Sequence, residues 1–174
     1  MAQLLMKRPA GAHQLPEESP VAVRAATSAD AEGIARLLAA AFPEQAWDAA
    51  RAMHDLFDPA DVKTTFVIDK DGRPVATASV RYQPRFADSG YVHWVGVDPA
   101  YRGKRLGTIV MARVLREFVA DGRASAVLET DDYRLPAIAS YLGQGFVPQY
   151  PEPDHEVRWS KVFEQLANAR REIR

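Results

Sequence analysis

Three cations and two glycines crowd one turn of the sequence, Arg102-Gly103-Lys104-Arg105-Leu106-Gly107. It lies between a β-rich run ending at Val97 and an apolar helical run leading to Ala120. Backbone N–H groups at a helix start have no helical acceptor, and the helix dipole favours a negative charge there by roughly 0.3–1 kcal/mol. The combination reads as an anion cradle, most simply for phosphate. Gly103 and Gly107 remove side chains where a pyrophosphate would need close backbone approach. Two known phosphate loops do not fit. A Walker A loop needs G-x-x-x-x-G-K-[ST], but Lys104 precedes the second glycine, and the spacing G-x-G-x-x-G is missing. A basic helix start with solvated charges is the plain alternative.

Other residues could move protons. The run Tyr91–Val97 holds no Asp or Glu but does hold His93. A strand period of two puts His93 on one face with Val95 and Val97, and an imidazole near pKa 6.5 is a candidate proton acceptor. A packed, hydrogen-bonded histidine is the commoner case. Tyr141, beside Ile138 and Leu142 on a short helix, could be a core tyrosine or a phenol that donates a proton. Glu129, Asp131 and Asp132 follow a strand end and could draw a cationic substrate; solvated loop charges are the default. His13, His54 and His155 lack ligand spacing, and neither H-E-x-x-H nor G-x-S-x-G occurs. Trp94, Trp159 and Phe146 are expected to pack the sheet.

The elements that must hold these residues follow from periodicity. Residues 1–20, with prolines at 9, 16 and 20, read as an extended or partly disordered arm, and residues 21–174 as one domain. Val21–Arg24 predicts a short strand, and Thr27–Asp30 caps a helix carrying Ile34, Leu37, Leu38 and Phe42. A second helix is expected over Glu44–Leu56. Asp71-Gly72 between Thr64–Asp69 and Pro74–Tyr82 predicts a hairpin. Next come a strand over Gly90–Val97, a helix over Gly103–Ala120, a strand over Ala124–Glu129 and a short helix over Pro136–Leu142. His155–Ser160 reads as a last strand and Lys161–Ile173 as a terminal helix. The order predicts a mixed α/β domain around one sheet, with a βαβ crossover at the cationic turn.

Composition bounds the partners. The chain has 174 residues, enough for one well-packed domain. Its formal charge of −1 offers no global field for nucleic acid or a membrane surface. No cysteine is present, which removes disulfides, thiolate metal sites and a thiol nucleophile. No run reaches the ~20 apolar residues of a membrane span, and the expected location is cytoplasmic.

The cationic turn resembles the [Q/R]-x-x-G-x-[G/A] motif of the GNAT (GCN5-related) N-acetyltransferases, with Arg105 where the family usually has its first glycine. Val95–Tyr101 resembles the strand leading into it. Leu128–Pro148 resembles the family's N-x-x-A-x-x-x-Y-x-x-x-G-F pattern, with Ala137, Tyr141, Gly145 and Phe146 on it and Arg134 at the Asn position. The resemblance covers roughly residues 21–160. Some parts, including the Met6-Lys-Arg-Pro arm, are faintly similar to the acetyltransferase domains of mycothiol synthases. It implies an acyl-coenzyme A N-acyltransferase fold, a mixed sheet flanked by helices. It also implies acetyl-coenzyme A as cosubstrate, without metal. Its pyrophosphate would lie on the N–H groups of Arg102, Gly103, Lys104, Arg105, Leu106, Gly107 and Thr108, and its pantetheine along Val95 and Val97 as an added strand. Tyr141 would be the general acid. The expected partner is a small-molecule or peptide amine attacking directly, with a homodimer left open. A non-catalytic acyl-coenzyme A sensor of the same fold is the alternative.

Overall fold

The computed structural model describes residues 3–11 and 19–172. His13 and much of the expected arm lie outside these. Among the described residues the chain forms seven strands and five α-helices, the α/β class expected from the sequence. It divides into two compact units, residues 19–124 and residues 3–11 with 125–172.

In the first unit, β3 (Val62–Lys70) and β4 (Arg73–Arg81) form the expected hairpin. Asp71 and Gly72 both take positive φ, 50° and 73°, the turn whose twist matches that of the strands. β2 (Arg24–Ala25) pairs with β3 and β5 (Ser89–Val97) with β4, all antiparallel. α1 (Ala31–Ala41) starts behind Thr27, whose N–H donates to Asp30 Oδ2 at 2.8 Å. Its Ile34, Leu37 and Leu38 join Phe42, Leu56 of α2 (Ala49–Leu56) and Val67 of β3 in one buried cluster. Phe66, the residue before Val67 on β3, lies under the Arg113 guanidinium of α3 (Leu106–Ala120) at 4.3 Å. Consecutive strand residues face opposite sides, so α1 and α2 cover one face of these strands and α3 the other.

In the second unit, β1 (Leu4–Arg8) runs antiparallel to both β6 (Ser125–Thr130) and β7 (Val147–Pro148). This strand falls inside the stretch expected to be an arm. Its inward residues, Leu4 and Met6, are wholly buried, but two inward positions before Pro9 are too few for a period to show. α4 (Leu135–Gly143) matches expectation. The strand expected at His155–Ser160 does not exist; these residues open α5 (His155–Glu172). The alternation His155, Val157, Trp159 imitates a strand. The buried positions are instead His155, Trp159 and Val162, at helical spacing, while Val157 is exposed. No helix among the described residues is long and apolar enough to cross a membrane.

Candidate functional site

The cationic turn is built by short-range hydrogen bonds. Asp98 Oδ1 accepts from the Ala100 N–H at 2.8 Å, and the Arg102 N–H donates to Pro99 O at 3.3 Å. Gly103 then takes φ 77° and Arg105 φ 58°, both left-handed, which swings the chain into α3. The first helical bond runs from Ile109 N–H to Arg105 O at 3.1 Å. The N–H groups of Leu106, Gly107 and Thr108 therefore have no helical acceptor. Gly107 has a packing reason as well: a Cβ there would stand 3.3 Å from Val97 Cγ2, tight for helix against strand. Arg102, Lys104 and Arg105 are exposed, with the Lys104 ammonium 4.9 Å from the Tyr101 ring centre. A cavity of about 570 Å³ opens beside this turn, lined by Lys104, Arg105, Thr108, Ile109, Arg113 and Val21 among others. The cations and unpaired amides suit an anion with a phosphate-sized head.

β5 does not keep a period of two. Thr77 pairs with Gly96 but Ser79 with His93, so β5 spends three steps where β4 spends two. The extra residue is a bulge at Trp94 and Val95, neither of which has a partner on β4, and Trp94 takes φ 46°. The expectation that His93 shares a face with Val97 is overturned by this bulge. Val97 faces Gly107 of α3, whereas His93 faces Asp55 of α2. Arg81 Nη1 lies 3.3 Å from His93 Nε2 and can only donate, so Nε2 accepts. Burial, then the Arg81 charge, pushes the imidazole down to about 4. A ring so held is neutral at pH 7, with its lone pair engaged, and is a poor general base.

Trp94 leaves the strand sideways and packs edge-on against Phe42 at 5.3 Å and Trp47 at 4.7 Å. Its expected role in packing is thus directed at the end of α1 and the loop behind it. Sequence reasoning singled out neither Trp47 nor Arg51, since Trp47 lies in the loop before the Asp48 cap of α2, where no helical period relates the two.

Tyr141 lies on α4, in the second unit, 9% exposed and 6.1 Å from the Phe146 ring. Burial pushes its phenol up to about 12, and Arg134 pulls only weakly the other way. Phe146 N–H donates to Tyr141 O at 3.1 Å, closing the helix end at Gly145. The acidic group is engaged structurally. Asp131 accepts from Arg134 at 3.2 Å and from Gln3 at 3.2 Å, and Asp132 accepts from Arg158. His54 is exposed beside Asp55, and His155 is buried with neither nitrogen hydrogen-bonded.

The model of the Acetyltransferase (GNAT) family matches residues 31–146, which hold the cationic turn, the bulge and Tyr141. The chain belongs to the GNAT acetyltransferase family. A mycothiol acetyltransferase of a Nocardioides species is 31% identical over 168 residues, 85% of this chain and 56% of that protein. A mycothiol acetyltransferase of Thermomonospora curvata is 32% identical over 109 residues, 60% of this chain and 35% of that protein. The chain thus spans about half or less of the length of these relatives. Among solved structures, a putative GNAT acetyltransferase from Novosphingobium aromaticivorans shares the fold at TM-score 0.64 and 21% identity, over 86% of this chain and 61% of that one. The ribosomal-protein-S18-alanine N-acetyltransferase of Escherichia coli does so at TM-score 0.63 and 20% identity, over 76% of this chain and 85% of that one. Within the GNAT pattern, Arg105 takes the left-handed backbone that glycine adopts freely, and Arg134 is tied to Asp131.

Proposed function

We propose that this GNAT chain transfers an acetyl group from acetyl-coenzyme A to the amine of a small molecule or peptide, by direct attack. The observation that carries the reading is the turn at 102–108, where unpaired helix-start amides and three exposed cations adjoin the end of a bulged strand. Acetyl-coenzyme A supplies an acyl carbon bonded to a sulfur leaving group. The amides of Leu106, Gly107 and Thr108, with Gly103 opening the turn, would hold its pyrophosphate. The backbone of Val95 and Val97 would pair with its pantetheine arm as an added strand. In the bulge, Val95 has no partner residue on β4, and its N–H would donate to the thioester carbonyl, polarising it as negative charge builds on oxygen.

Bond changes balance without a protein nucleophile. A C–N bond forms, the C–S bond breaks, the amine gives up its proton, and the departing sulfur takes one. The absence of cysteine removes a thiol relay. Tyr141 is proposed, on the family pattern, as the donor to sulfur. Its phenol, at about 12, lies some 3–4 pKa units above a thiol near 8.5, so complete transfer is uphill by roughly 5 kcal/mol. Its contribution is therefore a hydrogen bond to the developing thiolate, with solvent completing the proton transfer. With His93 neutral and engaged, the proton of the attacking amine passes to water.

Calorimetric titration with acetyl-coenzyme A, followed by an amine panel scored for free thiol, tests the reading. Acceptor-dependent thiol release is expected, with Tyr141→Phe lowering turnover at least ~10-fold and leaving coenzyme A affinity nearly unchanged. Tight binding without acceptor-dependent release would favour a sensor instead.

A further inference from the structure

One side chain ties the loop between α1 and α2 to the bulge of β5. The Arg51 guanidinium lies 4.2 Å from the Trp47 ring centre and 5.6 Å from that of Trp94. Its Nη1 donates to Ala46 O at 2.6 Å, its Nη2 to Gln45 Oε1 at 2.8 Å, and its Nε to Asp55 Oδ2 at 3.3 Å. Its own N–H donates to the helix cap Asp48 at 2.8 Å. The fork is thus hydrogen-bonded at every nitrogen, and its cation lies over the Trp47 ring with Trp94 beside it.

What that fixation holds is unusual backbone. Trp94 takes φ 46°, a region sparsely populated by large side chains, which persists only where the surroundings over-determine it. Phe42 and Trp47 grip the Trp94 ring edge-on, and Trp47 in turn carries the Arg51 cation over its ring. If Trp94 relaxed to ordinary extended backbone, the bulge would lose its shape and the Val95 N–H its direction.

We propose that Arg51 is a positioning residue for acyl transfer: its guanidinium, wedged against Trp47 and Trp94, locks the β5 bulge so that the Val95 amide points where a thioester carbonyl would lie. This rests on the acetyl-transfer reading above. Arg51 is remote from the pyrophosphate turn in sequence and makes none of its bonds, so it governs the acyl end of the cosubstrate and not its grip. Lysine cannot reproduce this role, because it lacks the planar fork that serves Ala46, Gln45 and Asp55 together.

The test compares wild type, Arg51→Met and Arg51→Lys, with Trp47→Phe as a second route to the same clamp should Arg51→Met fail to fold. In the unliganded protein, hydrogen exchange at the Trp94 and Val95 amides should accelerate in Arg51→Met, while the paired amides of β3 and β4 keep their protection. With acetyl-coenzyme A labelled at the carbonyl carbon, the bound resonance should move back toward its free value in Arg51→Met. Turnover should fall at least ~10-fold, with KM for acetyl-coenzyme A held within about twofold and Arg51→Lys not rescuing it. Unchanged exchange at Trp94 and Val95 overturns the clamp, with or without ligand. A wild-type carbonyl shift that persists unaltered in Arg51→Met overturns the catalytic consequence. Failure of the wild type to bind acetyl-coenzyme A would instead remove the functional reading and leave the exchange result to decide the clamp.

Discussion

His93 sits among Arg81, Asp55, Asp61, Tyr91 and Trp94, and its proton balance can be read out in stability. Its folded pKa, about 4, is below the unfolded value of 6.5, because burial and then the Arg81 charge oppose the imidazolium. Between those values the unfolded chain binds the proton and the folded one does not. The contribution is therefore complete above pH 6.5 and declines as pH falls toward 4, by at most about 3 kcal/mol. Asp30, held at about 2 mainly by Arg24, loses its contribution only below the ordinary carboxylate range, so the two windows separate. Urea midpoints of wild type should drop from pH 7 to pH 4.5, and His93→Gln should flatten that drop. A parallel drop in the variant would mean that another group carries it.

At the scale of elements, the cationic turn was legible because glycine and charge are written in the sequence itself, and α3 behind it because its apolar stripe is long. The bulge was not. Nothing in Tyr91–Val97 marks one residue as extra, since the bulge arises from pairing with β4 and from the grip on Trp94. The first turns of α5 misled for the opposite reason, as His155 and Trp159 fit both periods and Val157 between them completed a false alternation. Arg105 shows what the motif encodes: its φ of 58° is where the family pattern has glycine. A side chain held left-handed costs on the order of 1–2 kcal/mol, partly offset by the greater freedom of glycine when unfolded. Arg105→Gly is expected to raise stability by up to about 1 kcal/mol in urea unfolding, and Arg105→Ala to raise it by nothing measurable. Equal stabilisation by both would show that the arginine side chain, and not its backbone, is the source of strain.

At the scale of the whole molecule, the second unit draws its strands from distant parts of the chain. β1 runs between β6 and β7, with Met6 opposite both Leu128 and Pro148, and Lys7 opposite Val127 and Val147. Within that unit β6 and β7 pair with β1 and not with each other. Leu4 and Met6 are fully buried, so β1 supplies apolar filling as well as hydrogen bonds. Deleting residues 1–9 would remove the pairing partners of β7, and each backbone hydrogen bond so lost costs about 0.5–1.5 kcal/mol. The milder Met6→Ala should lose ~2–5 kcal/mol, whereas the volume-conserving Met6→Leu should lose under ~1.5 kcal/mol. Hydrogen exchange read by mass spectrometry gives the spatial signature. In the truncated chain, protection should disappear first from the Gln149 amide, which donates to Leu5 O at 2.9 Å, and the surrounding peptide, while the hairpin of β3 and β4 retains its own. Full protection of β7 after truncation would show that the N-terminal strand is an accessory, and that the fold of this unit is complete without it.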